Sequence, residues 1–194
     1  MQKNTVSILG SAEQIPQKIE GWNHTFQLAR PYIMGKGIGI DVGCREGGFA
    51  REMENYFDHI HCFDFRDKKK MFKNNVINME KFTYHVCGIG DVAGTTFTTS
   101  NKVGRIKDHG DVAVSIKTLD SYKFENVTLI KYDIEGYELR AIIGSENTIK
   151  KNWPVIVVEQ NKGNTDSKEM LESWGYQCKG IDKVFNQDYI MVKE

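Results

Sequence analysis

The sequence predicts an α/β fold, in which a mostly parallel sheet is covered by helices on both faces. From residue 37 onward, short apolar segments of strand length alternate with segments whose apolar residues recur at helical spacing. The segment 127–134 (VTLIKYDI) is of the continuous apolar type found in parallel strands. The last two strand segments, 176–181 and 187–193, are so close in the chain that they predict an antiparallel hairpin at one edge.

The composition fits one globular domain. Of the 194 residues 40% are hydrophobic, and 26 basic side chains balance 26 acidic ones. A folded chain of this length buries roughly 70% of the surface that its unfolded form exposes. Because the hydrophobic content is high enough to supply that core, wholesale disorder is excluded. Zero net charge gives no electrostatic reason to expect nucleic acid or an anionic membrane as a partner. No apolar run reaches the ~20 residues of a bilayer span and no signal peptide is recognisable, so we expect a cytoplasmic protein.

Residues 1–36 are predicted to form an N-terminal helical extension, and residues 37–194 the main domain. Pro31 is expected to interrupt or end the helix of the extension, because proline lacks the backbone donor that a helix interior needs. The apolar residues that recur at helical spacing before it are Ile15, Ile19, Trp22, Phe26 and Ala29.

Strands and helices then alternate as far as residue 89. Residues 95–100 have the polar composition of an exposed strand, and residues 101–113 combine glycines and mixed charges without a period, which predicts a mobile loop. The alternating elements are a strand at 38–42, a helix with Phe49 to Phe57 on its apolar face, a strand at 59–64, a helix from Phe72 to Met79, and a strand at 82–89.

The alternation resumes with the strand at 127–134. One helix is predicted from Leu139 to Ile149, and Pro154 opens the strand 154–160, a position that a sheet tolerates for proline. Asp166 and Glu169 have the spacing of a capping box for the helix that follows, which Gly175 ends.

The segment GIGIDVGCREGGF (37–49) carries the strongest chemical pattern. A buried strand ends in Asp41, and a glycine-rich turn leads into a helix. In open parallel sheets, ligands bind beyond the carboxyl ends of the strands. Asp64 stands 21 residues after Gly43, at the end of the second strand, where a carboxylate accepts hydrogen bonds from ribose hydroxyls. Together these features predict a site for a nucleoside-type cofactor.

The spacing of the turn favours S-adenosylmethionine over a dinucleotide. The dinucleotide fingerprint G-x-G-x-x-G is absent, and the glycines follow the pattern Gly43-x-x-x-Gly47 instead. The acids Asp41, Glu46 and Asp64 suit a cationic sulfonium better than a diphosphate. A nicotinamide-dependent oxidoreductase is the alternative use of such a turn.

Several motifs resemble those of the FkbM family of class I S-adenosylmethionine-dependent methyltransferases. IDVGCREGGF resembles the family's I-D-V-G-A-x-x-G-x-F, and HCFDF its F-E-P segment, with Asp64 and Phe65 in place of glutamate and proline. CGIGDVAG resembles A-x-G-D-x-x-G, with Gly88 for alanine. IKTLDSY, LIKYDIEGYELRAIIGS and PVIVVEQ resemble three further blocks in the family's order, so the likeness covers residues 37–160.

This resemblance implies a Rossmann-like class I methyltransferase fold, with a mostly parallel seven-stranded sheet, a C-terminal antiparallel hairpin and helices on both faces. It also implies methyl transfer, most often to a hydroxyl of a sugar or small metabolite. Asp41, Gly43 and Gly47 would line the methionine end of the cofactor, Asp64 would hold the ribose, and Gly88 and Ile89 would lie by the adenine. The complete predicted cofactor set is Asp41, Gly43, Cys44, Arg45, Glu46, Gly47, Asp64, Phe65, Gly88, Ile89 and Asp133.

The candidate catalytic residues are Lys131, Asp133, Glu135 and Glu159. Methyl transfer is an in-line displacement that needs alignment, and a hydroxyl acceptor also needs to lose its proton to a base or on a metal. Asp133 could be that base; alternatively Asp133, Glu135 and Glu159 could hold a divalent cation, or Lys131 could simply pair with one of these acids. His24 and His109 are further candidates for the base.

Other interpretations remain open at this level. The fold could serve as a binding module that holds the cofactor or a partner without turnover. Arg66, Lys68, Lys69 and Lys70 form a basic run that could contact phosphate, although a solvated helix start is the simpler interpretation. We expect a small-molecule or glycan acceptor, whereas its identity and the oligomeric state are not encoded in any recognisable pattern.

Overall fold

The computed structural model describes residues 18–98, 106–107, 110, 112–160, 163–183 and 187–194. The predicted alternation of strands and helices is present along these residues. The helices are α1 (Lys18–Ala29), α2 (Gly48–Met53), α3 (Lys69–Asn75), α4 (Glu138–Ile143), α5 (Glu146–Asn152) and α6 (Asp166–Ser173). The strands are β1 (Ile38–Val42), β2 (His59–Asp64), β3 (Phe82–Val86), β4 (Gly88–Ile89), β5 (Gly94–Thr98), β6 (Ile106–Lys107), β7 (Val112–Lys117), β8 (Val127–Tyr132), β9 (Val155–Gln160), β10 (Tyr176–Asp182) and β11 (Gln187–Lys193).

The main sheet of the described residues has seven strands in the order β10-β11-β9-β8-β1-β2-β3. The four pairs β3–β2, β2–β1, β1–β8 and β8–β9 are parallel. Strand β11 runs antiparallel to both β9 and β10, which confirms the predicted C-terminal hairpin. The strand order reverses between β1 and β8, and this is the point at which open α/β sheets bind ligands.

Helices cover both faces of this sheet, as predicted. Phe26 of α1, Phe49 of α2 and Phe72 of α3 pack in one apolar cluster on the first face. Ile142 of α4 and Ile149 of α5 pack in a second cluster on the opposite face. Because successive strand residues point to opposite faces, the strands β2, β8, β9 and β11 supply both clusters.

A second sheet in the described residues corrects the prediction for the segment after β3. Its strand order is β4-β7-β5-β6. Strand β7 begins at Val112, inside the segment 101–113 that was predicted as a mobile loop. The predicted strand 82–89 is interrupted, because residues 88–89 pair in parallel with β7 instead of continuing along β2. These pairings join segments distant in the chain, which local periodicity does not reveal. Residues 99–105, 108–109 and 111 of the predicted strand and loop lie outside the described residues.

Helix boundaries differ from the predictions in three places. The predicted helix 139–149 is two helices, because the chain at Gly144 passes so close to Gly90 that a Cβ there would lie 1.9 Å from the Gly90 carbonyl oxygen. Thr165, not Asp166, is the N-cap residue of α6, and its Oγ1 donates to Glu169 Oε1 at 2.6 Å. Helices α2 and α3 end before Phe57 and Met79, although Phe57 is still buried in the core.

The N-terminal helix α1 ends at Ala29, where the one-turn 3-10 helix Arg30–Tyr32 with Pro31 follows, as predicted. Phe26 and Ala29 have no exposed surface and belong to the core beside α2. The division of the chain at residue 36 stays a prediction, and Ile15 lies outside the described residues. No helix within the described ranges combines the length and the apolar character that crossing a membrane requires.

Candidate active site

A pocket opens at the carboxyl ends of β1, β2 and β8, beside the point where the strand order reverses. Its volume, including open solvent at the mouth, is about 550 Å³. The lining residues come from the loops after these strands and from the start of the second sheet: Val42, Gly43, Arg45, Phe63, Asp64, Phe65, Arg66, Cys87, Gly88, Ile89, Asp133, Ile134 and Glu135.

Gly43 allows two of these loops to touch. Its φ is +91°, and a Cβ at this position would lie 1.9 Å from the carbonyl oxygen of Asp133. The amides of Gly43 and Cys44 both donate to the carbonyl of Phe63, at 2.8 and 3.1 Å. The turn after β1 is therefore fixed to the ends of both neighbouring strands, and only glycine fits its first position.

The carboxylate of Asp64 lies at the end of β2 and is only 4% exposed. Its oxygens accept from the backbone amides of Arg45 (3.1 Å) and Arg66 (2.8 Å). The guanidinium of Arg66 adds two hydrogen bonds, from Nε to Oδ1 at 3.1 Å and from Nη2 to Oδ2 at 3.3 Å. Asp64 is therefore held by the two loops that border the pocket.

A buried ionic cluster of Lys131, Asp41 and Asp133 lies beneath the mouth of the pocket. Lys131 Nζ is 2.8 Å from Asp133 Oδ2 and 4.0 Å from Asp41 Oδ1. Burial raises the pKa of Asp41 to about 6, although the charge of Lys131 acts in the opposite direction. Burial alone would lower the pKa of Lys131, but the charges of Asp133 and Asp41 outweigh it and keep this lysine protonated.

Comparison with known protein families identifies the family of this domain. The profile of the methyltransferase FkbM domain matches residues 27–178. The chain belongs to the FkbM methyltransferase family. The matching family model describes a methyltransferase domain.

Solved structures share the fold of this FkbM domain at low sequence identity. The methyltransferase FkbM of Methylobacillus flagellatus KT has a TM-score of 0.60 and 18% identity over 80% of this chain and 43% of its own, so the present chain spans less than half of that protein. The precorrin-6y C5,15-methyltransferase of Geobacter metallireducens GS-15 has a TM-score of 0.57 and 14% identity over 95% and 94% of the two chains.

A third structure contains the donor itself. The magnesium protoporphyrin IX methyltransferase of Synechocystis PCC 6803, solved with bound S-adenosylmethionine, has a TM-score of 0.50 and 10% identity over 92% of this chain and 79% of its own. Identities this low support the fold alone. Comparison with curated protein sequences gave no significant match.

The structure brings together about half of the residues that the sequence predicts for the site of this FkbM domain. Asp41 and Lys131 are buried beneath the pocket, and Glu159 is not among its lining residues. Of the predicted set, the residues that line the pocket are Gly43, Arg45, Asp64, Phe65, Gly88, Ile89, Asp133 and Glu135.

The other predicted cofactor residues of the turn after β1 are not among those that line the pocket. Cys44 packs in the apolar cluster beside α2, and burial raises the pKa of its thiol, so the group stays protonated. The side chain of Glu46 pairs with Lys68. Gly47 has a φ of +88° at the start of α2 and lies so close to Phe72 that a side chain would collide with that ring.

The predicted strand 127–134 is two residues too long, so Asp133 and Glu135 lie in the loop after the strand, where both line the pocket. Strand β8 ends at Tyr132, and Glu135 adopts a left-handed backbone conformation with a φ of +59°. Lys131 is paired with Asp133, as one of the alternatives had it. Among the described residues, Asp133, Glu135 and Glu159 do not form a group that could hold a metal ion.

The structure adds polar residues that the sequence reasoning missed. Asp182 of β10 lies opposite Asp188 of β11, and Asp188 lies opposite Glu159 of β9. Thr25 Oγ1 of α1 is 2.7 Å from Asp182 Oδ2 and 3.1 Å from Asp188 Oδ2, and His24 Nδ1 is 2.9 Å from Asp182 Oδ2. Burial raises the pKa of Asp188 to about 6. No sequence pattern indicated these acids, because they meet only through strand pairing.

Proposed function

We propose that this protein transfers the methyl group of S-adenosylmethionine to a hydroxyl oxygen of a small metabolite or glycan. The observation that carries the proposal is the pocket itself, in which the Gly43 turn and the Asp64 carboxylate lie beside the Lys131–Asp133 pair. A nucleoside site and a polar group able to accept a proton are thus adjacent. O-methylation needs both.

The residues present fit the donor. Glycine at position 43 brings the turn after β1 against the Asp133 carbonyl, so that both loops border the pocket, and Asp64 offers a carboxylate at the end of the neighbouring strand. In this proposal Asp64 holds the ribose hydroxyls, Gly88 and Ile89 border the adenine, and Asp41 contributes negative charge below the methionine end. When bound, S-adenosylmethionine supplies an electrophilic methyl group on a sulfonium.

Asp133 is the proposed base. Its side chain is 13% exposed and lines the pocket, and Lys131 holds one of its oxygens at 2.8 Å. Such a fixed carboxylate can accept the proton of an acceptor hydroxyl and keep its oxygen aligned for in-line attack. His24, hydrogen-bonded to Asp182, is the alternative base.

The acceptor side of the site is proposed to lie over β9, β11 and β10, beside α1, which packs on β10 and β11. Glu159, Asp188 and Asp182 are register partners across these strands, whose backbones lie ~4.8 Å apart. Ionised carboxylates only accept hydrogen bonds, which suits an acceptor that carries several hydroxyl groups.

The donor site is tested by calorimetric titration with S-adenosylmethionine and S-adenosylhomocysteine. We expect binding by the wild type and a loss of at least tenfold in affinity for Asp64→Ala, since two charge-assisted hydrogen bonds are removed. Asp58→Ala is the matched control, because Asp58 is exposed and precedes the same strand β2. Absence of binding by the wild type would contradict the proposal.

The reaction is tested with labelled methyl donor and a panel of glycans and small alcohols. We expect turnover that Asp133→Asn reduces by about 10²-fold or more while donor affinity is retained. Donor binding without transfer to any acceptor, including those in a cell extract, would instead support a non-catalytic binding module.

A further inference from the structure

The carboxylate of Asp64 has no free acceptor position. A carboxylate offers about four lone-pair sites. Oδ1 accepts from the amide and Nε of Arg66, and Oδ2 accepts from the amide of Arg45 and Nη2 of Arg66, at distances of 2.8 to 3.3 Å. Two of the four donors are therefore backbone groups, and the other two belong to one side chain.

The backbone donors are fixed, whereas the guanidinium is not. The carbonyl of Arg66 accepts from Tyr84 OH at 3.0 Å and from the amide of Lys68 at 2.9 Å, so the main chain of this residue is tied on both sides. The side chain of Arg66 is 28% exposed and lines the pocket, and its guanidinium carbon is 4.9 Å from the ring centre of Phe65. Its contacts with Asp64 are the ones that can be exchanged.

We propose that Arg66 is a competitor built into the donor site, whose guanidinium holds the two acceptor positions of Asp64 that the ribose hydroxyls need. This inference rests on the proposed function, in which Asp64 binds the ribose. Donor binding then exchanges two hydrogen bonds from Arg66 for two from the ribose, while the amides of Arg45 and Arg66 continue to orient the carboxylate. Part of the binding free energy is spent on releasing the guanidinium.

The charge of Arg66 adds a second consequence. A guanidinium close to the ribose repels the sulfonium of S-adenosylmethionine, whereas S-adenosylhomocysteine is neutral at sulfur. Arg66 therefore weakens the binding of S-adenosylmethionine more than that of S-adenosylhomocysteine, in addition to competing with the ribose of both ligands.

The experiment compares wild type with Arg66→Met, which keeps an apolar stem against Phe65 but has no donor and no charge. We expect Arg66→Met to bind S-adenosylhomocysteine roughly threefold more tightly, as the loss of a partly exposed ion pair implies, and S-adenosylmethionine more tightly still. Lys70→Met is the matched control, since it changes the net charge equally from an exposed position on α3. Arg66→Lys, which lacks the planar fork, should give a smaller gain and serves if Arg66→Met does not fold.

A cycle with Asp64→Asn separates competition from a general structural effect. In the Asp64→Asn background, Arg66→Met should give no gain in affinity for S-adenosylhomocysteine, because the contested acceptor is no longer a carboxylate. Equal or weaker binding by Arg66→Met, with normal binding by wild type, would overturn this inference and leave the proposed function intact. No binding by wild type or by Arg66→Met would overturn both.

Discussion

Lys131 donates a hydrogen bond of 2.8 Å to Asp133 from a side chain that is only 3% exposed. The same ammonium is 4.0 Å from Asp41 Oδ1 and 5.1 Å from the ring centre of Phe49. Asp41 has no exposed surface. One buried cation thus serves two carboxylates, one on β1 and one in the loop directly after β8. A buried charge is tolerated only when it is paired, so the three residues depend on one another.

Lys131→Met is expected to destabilise the protein by about 3–5 kcal/mol at pH 7, because it leaves the carboxylates of Asp41 and Asp133 uncompensated. The measurement is urea unfolding. The double variant Lys131→Met with Asp41→Asn should recover part of the loss, since one of the stranded charges is then absent. If the changes in the free energy of unfolding of the two single variants simply add in the double variant, the residues are not coupled.

Asp41 and Asp188 should each make the fold more stable as the pH falls from 7 towards 4.5, whereas His61, whose pKa burial lowers to about 4, contributes in the opposite direction; the prediction therefore concerns the difference between wild type and Asp41→Asn. The pKa values of folded Asp41 and Asp188 are raised to about 6, from an ordinary value of 3.8. Between these values the folded state binds more protons than the unfolded state, so protonation stabilises the fold, and the gain disappears as the pH rises through 6. Unfolding midpoints measured across this range check the prediction. Asp41→Asn should show a shallower slope, and an unchanged slope would mean that Asp41 does not titrate in this window.

The preference for S-adenosylmethionine over S-adenosylhomocysteine should weaken by roughly twofold to fivefold as the pH falls from 8 to 5. Asp41 loses its negative charge near pH 6, and only the methyl donor carries a sulfonium that this charge attracts. Parallel titrations of the two ligands provide the ratio. In Asp41→Asn the ratio should stay constant with pH; a wild-type ratio that does not change would exclude Asp41 as the source of the preference.

Gly43→Ala should cost more stability than Gly163→Ala. Both glycines have a φ of +91°, so alanine is strained equally at the two positions. At Gly163 nothing lies within 4 Å of the added carbon, whereas at Gly43 it would lie 1.9 Å from the Asp133 carbonyl oxygen. We expect about 1 kcal/mol for Gly163→Ala and a further 1–3 kcal/mol for Gly43→Ala, measured by thermal unfolding. Equal losses would show that the two loops do not touch.

Phe26→Ala should destabilise the protein by about 3–5 kcal/mol, because the ring has no exposed surface and packs against the rings of Phe49, Tyr56 and Phe57. Gln27→Ala, at the next and exposed position of α1, is the control and should change stability by less than about 0.5 kcal/mol. Denaturant unfolding measures both. A small effect of Phe26→Ala would mean that α1 contributes little to the core.

Much of the fold was predictable because strands and helices are encoded locally. The spacing of apolar residues predicted β1, β2, β8 and β9 and the helices between them, and the closeness of residues 176–181 and 187–193 predicted the hairpin. The helix break at Gly144 was not predictable, since it depends on the backbone of Gly90 lying against it. The second sheet was missed for the same reason, because its pairings, such as that of Gly88 with Ile116, join segments that local periodicity does not connect.

Some residues of the candidate site were predictable from the sequence, and others were not. The sequence by itself determined the glycine turn at Gly43 and the acid at the end of β2, since both are fixed by their position after a strand. Only the tertiary structure brought Asp182 and Asp188 beside Glu159, and enclosed Lys131 between two carboxylates. Strand order and register decide these contacts, and they follow from burying two apolar faces at once, a property of the whole sheet that no single segment carries.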